Sequence, residues 1–310
     1  MRPHLLLRRQ ALLRLGRLGS LAAATALPVP ALAQLREPGH GGSWEPTRGQ
    51  AGKDVIWIPT PDALVQRMLQ MAEVQADDHV YDLGSGDGKI AIAAGRAGAL
   101  ATGLEFDPRM VELSRRLARE AGVHERVRFE KADIFEADFS KATVVTLYLL
   151  PELNLRLRPR LFELPPGTRV VSHSFGMGEW QPDERSRIGS GELFLWRIPA
   201  NVSGHWRFNA AAGSGLPQSM QVRQTFQKLQ AEASDGSLTA ALIEPRIDGR
   251  TLQFGLRDSA GRAVKLRAEV QGNRLRGSYQ RGTAPPQPFE AERTGPPDTI
   301  VGSAYVEGGT

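Results

Sequence analysis

The chain contains no cysteine. That absence excludes a disulfide framework, a thiolate metal site and a cysteine nucleophile. Net charge is also missing once its source is located, because the formal +5 is matched by five arginines and no acid within residues 1–33. The remainder is neutral overall, so its charge gives no reason to expect nucleic acid as a partner. Long apolar runs are lacking beyond residue 33, and no membrane span is expected there.

What is present begins with "MRPHLLLRRQALLRLGRLGSLAAATALPVPALA". Arginines come first, then a Leu/Ala stretch, then Ala31-Leu32-Ala33, with small residues at the positions a signal peptidase reads. This predicts a signal peptide over 1–33 and an exported, periplasmic protein; Arg8-Arg9 followed by Gln10 and Leu12-Leu13 resembles a twin-arginine signal. If the leader does not function, the expected location is cytoplasmic.

At 310 residues and 41% hydrophobic content, the chain can build two packed domains. Residues 34–53, rich in Gly and Pro, are expected as a flexible lead-in. From residue 54 onward, strands expected at His79–Leu83, Ala101–Glu105, Val127–Lys131, Thr143–Leu147, Thr168–His173 and Leu193–Ile198 alternate with helices near Lys89–Ala97, Pro108–Ala121 and Leu153–Leu164. Such alternation predicts an α/β, Rossmann-like parallel sheet with helices on both faces. The polar stretch 178–192 breaks the rule, so the last strand is expected to return by a hairpin and run antiparallel. Residues 200–294 change character: Asp-Gly pairs at 235–236 and 248–249 separate alternating runs such as Leu252/Phe254/Leu256. A small antiparallel β-rich domain of six or seven strands, open or closed, is expected, followed by a loose tail over 295–310.

The sharpest motif is "VYDLGSGDGKIAIAAG" over 80–95, where Gly84, Gly86 and Gly88 follow the first strand. The dinucleotide fingerprint places its third glycine one residue later, where Lys89 stands. Asp82 and Asp87 would crowd a pyrophosphate, at a cost of several kcal/mol per contact at an effective dielectric of about 20. A cationic amino acid moiety gains from the same carboxylates, which favours S-adenosylmethionine (SAM). Glu105, about 20 residues on, suits ribose hydroxyls. Asp133, at the end of the third strand, supplies an acceptor for the adenine amino group.

With these residues in view, the stretch from 54 to about 199 resembles the class I, seven-strand SAM-dependent methyltransferases. Within them, "VIWIPTP…VYDLGSGDGKIAIAA", "TLYLLPELNLRLRPRL" and "PGTRVVSHSF" resemble the ATP-synthase c-subunit lysine methyltransferases and their archaeal and bacterial relatives. The resemblance implies a Rossmann-like methyltransferase sheet with SAM as cofactor. It places Pro59, Thr60 and Pro61 at the methionine end, Gly84 to Gly88 beneath it, and Asp133 with Ile134 at the adenine. Tyr148 and Pro151 border the acceptor site. The expected reaction is methyl transfer to an amine, a protein lysine above all, with a small-molecule acceptor or an inactive exported binding protein as alternatives. A lysine amine must be desolvated to lose its proton; Trp57, Tyr148 and Phe175 are candidate walls, and His173 or Glu152 candidate proton acceptors. The β-rich domain is expected to contact substrate or an envelope partner. No metal is expected.

Overall fold

A computed structural model describes residues 44–54, 56–209, 214–236, 239–258 and 260–303. The leader expected over 1–33 lies outside the described residues. Two sheets make up one compact unit from Trp44 onward.

The first sheet holds β1 (His79–Leu83), β2 (Leu100–Glu105), β3 (Val127–Lys131), β4 (Val144–Leu147), β5 (Arg169–His173), β6 (Glu184–Ile188) and β7 (Gly191–Arg197) in the order β3-β2-β1-β4-β5-β7-β6. β1 to β5 run parallel and β7 pairs antiparallel with β5, as the polar return implies. Helices α1 (Asp62–Met71), α2 (Lys89–Arg96), α3 (Pro108–Glu120) and α4 (Pro151–Leu161) accompany it. Apolar residues recur at helical spacing on α1, where Leu64, Val65, Met68 and Leu69 are buried and join Val80, Val144 and Leu193 of the sheet. Strand order reverses between β1 and β4, and an open α/β sheet binds ligands outside the carboxyl ends of its strands at that crevice.

Three elements differ from expectation. The helix expected over 153–164 begins at Pro151, whose fixed φ suits a first helical position, and ends at Leu161. β6 was not anticipated because this edge strand has no apolar alternation; its residues are half-buried or exposed throughout. Residues 44–53, expected to be flexible, carry a short hairpin: Gly49 N–H donates to Trp57 O, Trp57 N–H to Gln50 O, and Ala51 bridges Ile56.

The second sheet has nine strands among the described residues, β8 (Gly204–Phe208) through β16 (Gln287–Arg293), where six or seven were expected. It is closed: β16 pairs with β8, and β9 (Ser219–Thr225) pairs with both β8 and β10 (Lys228–Ser234). Alternation is strict where the sequence showed it, and Val264, Leu266, Ala268 and Val270 all point inward on β14 (Ala263–Gln271). Arg293 seals one end, 4.5 Å over the Trp206 ring, donating to the carbonyls of Ser203 and Asn201. The tail expected to be loose is pinned as far as Val301, whose carbonyl accepts Phe226 N–H.

The barrel grips the first sheet through the β9–β10 turn. Phe226, at φ 52°, lies 6.1 Å from both Phe162 and Trp180, and Trp180 Nε1 donates to Gln227 Oε1 at 2.9 Å. The two sheets thus share aromatic core. Among the described residues no helix is long and apolar enough to cross a membrane.

Candidate functional site

A cavity of about 750 Å³ opens at the carboxyl ends of β1, β2, β3 and β4, under the hairpin at 49–57. Its floor is the turn after β1. Gly84, Gly86 and Gly88 all have positive φ, at 80°, 54° and 82°, a region that L side chains enter only with strain. A Cβ on Gly86 would stand 2.9 Å from Trp57 Nε1, and one on Gly88 2.4 Å from Phe129 Cζ. The turn therefore requires glycine on both conformational and steric grounds. Gly88 caps α2 instead of lining the cavity.

Glu105 ends β2 and fastens this turn. Its Oε2 accepts Gly86 N–H at 2.9 Å, and its Oε1 accepts Asp107 N–H at 2.9 Å. Asp82, 2% exposed at the end of β1, accepts from the Thr146 hydroxyl at 2.7 Å. Burial pushes its carboxyl up to about 7, with Asp87 and Glu105 adding repulsion against Thr146's opposing effect. Burial also raises Asp87. Three carboxylates thus converge where a positive ligand group would relieve them.

At the far end, Asp133 Oδ1 accepts Phe135 N–H, while Oδ2 receives Lys53 Nζ at 2.7 Å. That ion pair, led by its hydrogen bond, holds the Asp133 carboxyl below the usual range. Lys53 also stands 4.5 Å over the Phe106 ring. Sequence reasoning missed Lys53, which sits in the Gly-rich lead-in without any motif. Phe106 carried a signal, an aromatic directly after the acid that ends β2.

The third region is aromatic and apolar. Trp57, Thr60, Tyr148, Leu150, Leu153 and Phe175 line it. Tyr148 and Phe175 stack with centroids 6.5 Å apart. Of the remaining candidates, Ile134 lines the cavity, whereas Pro151 is exposed on α4 and, like Glu152, outside it. His173 does not line it either: 4% exposed, it lies behind Tyr148.

The geometry fits SAM. A glycine cradle allows close backbone approach, three carboxylates face the β1 end, and an acceptor waits 2.7 Å beneath the Lys53 ammonium. The same carboxylates oppose a pyrophosphate.

Residues 82–184 match the model of the ANTKMT methyltransferase domain. A protein-lysine N-methyltransferase of Saccharolobus islandicus (strain REY15A) is 42% identical over 142 residues, 45% of this chain and 88% of that protein. The chain belongs to this methyltransferase family. The rat ATP synthase c-subunit lysine N-methyltransferase is 33% identical over 145 residues, 46% of this chain and 67% of that protein. A solved structure named as an RNA methyltransferase from Salinibacter ruber, in complex with S-adenosyl-L-homocysteine, is 52% identical, covering 47% of this chain and 96% of that one at a TM-score of 0.46. The family model and the two lysine methyltransferase relatives identify the protein as a SAM-dependent methyltransferase. The β8–β16 barrel lies beyond the matched residues 82–184, and none of its described residues lines the cavity.

Proposed function

We propose that this methyltransferase acts on lysine side chains of protein acceptors at the Trp57–Tyr148–Phe175 end of the cavity. The observation that carries this reading is the makeup of that end: aromatic and aliphatic walls supplied by Trp57, Tyr148, Leu150, Leu153 and Phe175. An ammonium with an ordinary pKa of about 10.4 loses its proton more readily in such surroundings, because burial disfavours the charged form. The 42% identity to a relative named as a protein-lysine N-methyltransferase supports the same acceptor.

Bound SAM supplies a methyl carbon already activated by its sulfonium. What remains for the protein is to position and desolvate. In this reading Asp82 and Asp87 attract the cationic methionine end, Glu105 holds the glycine turn and accepts from the ribose, and Asp133 with Ile134 receives the adenine. Thr60 closes the methionine end. Trp57, Tyr148 and Phe175 exclude water from the amine. The barrel is assigned to holding the acceptor or an envelope partner; none of its described residues lines the cavity.

Incubating the protein with methyl-tritiated SAM and a fixed pool of cell lysate tests the acceptor class. Label is expected in protein and, after acid hydrolysis, in methyl-lysine. Label confined to RNA or small molecules would overturn the reading.

We also propose that residues 1–33 direct export, on the strength of Arg8-Arg9 and Ala31-Leu32-Ala33. A reporter fused to the first 40 residues is expected outside the cytoplasm. Retention inside would assign the protein to the cytoplasm.

A further inference from the structure

His173 is buried at the carboxyl end of β5, directly beside the cavity but not in it. Two contacts define its surroundings. The Tyr148 ring lies against the imidazole with centroids 3.9 Å apart and planes at 34°. Thr60 Oγ1 faces Nδ1 at 3.4 Å, a long contact for a hydrogen bond. These neighbours come from two different elements, the segment leading into α1 and the loop after β4. His173 is where both meet β5.

The backbone that carries it has little freedom. Ser174 follows at φ 65°, a strained value for a side-chain-bearing residue. It is held there by Phe175 N–H donating to His173 O at 2.9 Å and by Ser174 N–H donating to Glu192 O at 2.8 Å. Ser172 Oγ donates to Phe175 O at 2.7 Å, and Asn154 Nδ2 reaches the Phe175 and Gly176 carbonyls at 3.2 Å each. Asn154 is itself fully buried on α4. A loop fastened this often does not let the imidazole swing past Tyr148 into the cavity.

We infer that His173 is a positioning residue: its ring is the surface that fixes Tyr148 at the acceptor end, and its Nδ1 ties Thr60 to that surface, without any proton passing between it and the acceptor. The inference rests on the reading of this cavity as the methyl-transfer site. Burial alone lowers the imidazole's pKa, with no carboxylate or cation contributing, and Thr60, Tyr148 and Phe175 bring none to it. That direction favours the neutral imidazole, the form that lies against the Tyr148 ring without bringing a charge to it.

The test uses the full chain and two substitutions of His173. By NMR, the imidazole signal that disappears in His173→Phe is expected to titrate below the ordinary value of about 6.5. SAM affinity by calorimetry is expected to stay within about threefold in His173→Phe and His173→Ala, since His173 does not line the cavity. His173→Ala removes the surface under Tyr148, so tritium incorporation into the lysate pool should fall about tenfold or more. His173→Phe keeps a ring there, and its rate should recover to within about threefold of wild type with an unchanged pH profile between about 6 and 9. His173→Phe as inactive as His173→Ala, with the acid limb of the profile lost, would make His173 a proton acceptor and overturn the inference. Parallel loss of SAM affinity and thermal stability in His173→Ala would overturn it too, reducing the residue to core packing. If the wild type labels no protein, the lysine reading fails, while the NMR titration and the SAM affinities still decide whether His173 behaves as argued.

Discussion

Glu105→Ala is expected to weaken SAM binding about 100-fold or more, equivalent to about 2.8 kcal/mol. Each Glu105 oxygen accepts a backbone N–H at 2.9 Å, one from Gly86 in the glycine turn and one from Asp107 at the start of α3. Hydrogen bonds to a charged acceptor contribute roughly 1.5–3 kcal/mol each. Alanine removes both, along with the acceptor that the proposed pose gives the ribose. It also leaves Gly86 at φ 54° with nothing to fasten its N–H. Glu105→Gln does not rescue, because its amide must turn an NH2 group toward one of two N–H donors; a loss of about tenfold or more is expected. Calorimetry with SAM and with S-adenosylhomocysteine reads both effects. Affinity within threefold of wild type in Glu105→Ala would remove Glu105 from the cofactor site altogether.

How much of this site could be read from the sequence follows from which interactions are local. The strand ends were legible because β1, β2 and β4 are mostly buried and β3 alternates, and the acids Asp82, Glu105 and Asp133 each stand at, or within two residues of, the end of a strand. The glycine turn was legible because positive φ at Gly84, Gly86 and Gly88 demands that residue type. Tertiary placement was not. Lys53 reaches Asp133 across 80 residues, and nothing in its Gly-rich neighbourhood announces the hairpin that carries it. His173 carried a titratable side chain at a strand end, yet only the packing of Tyr148 against it shows that it stands behind the cavity wall. Asn154 reads as a polar residue within α4, but its side chain ties down the loop of Phe175. Barrel closure was equally hidden, because pairing of β16 with β8 joins strands about 80 residues apart. Alternation gives the face of each strand but not its partner.

The second large effect is pH-dependent and centres on Asp82. Its carboxyl is pushed up to about 7 by burial first, then by Asp87 and Glu105, from an ordinary 3.8. Between those values the folded chain keeps a proton that the unfolded chain has lost. Its contribution to stability is therefore fully present below about pH 4 and disappears as pH rises through about 7, a change of up to roughly 4 kcal/mol. Urea unfolding of Asp82→Asn, whose amide carries no charge, should lack that decline. Cofactor affinity runs the other way. A cation beside Asp82 favours the ionised form, so SAM binding expels a proton below about pH 7 and its affinity rises with pH by up to about tenfold per unit. Wild type is expected to bind SAM several-fold more weakly at about pH 6 than at about pH 7.5, with proton release visible in buffers of different ionisation enthalpy. In Asp82→Asn both the slope and the release should shrink, and the difference between the two proteins isolates Asp82 from Asp87 and from any titration of the cofactor's own amine. Equal slopes in wild type and Asp82→Asn would mean that the buried carboxylate does not sense the cofactor's charge, and the electrostatic argument for a cationic ligand over these glycines would fail with it.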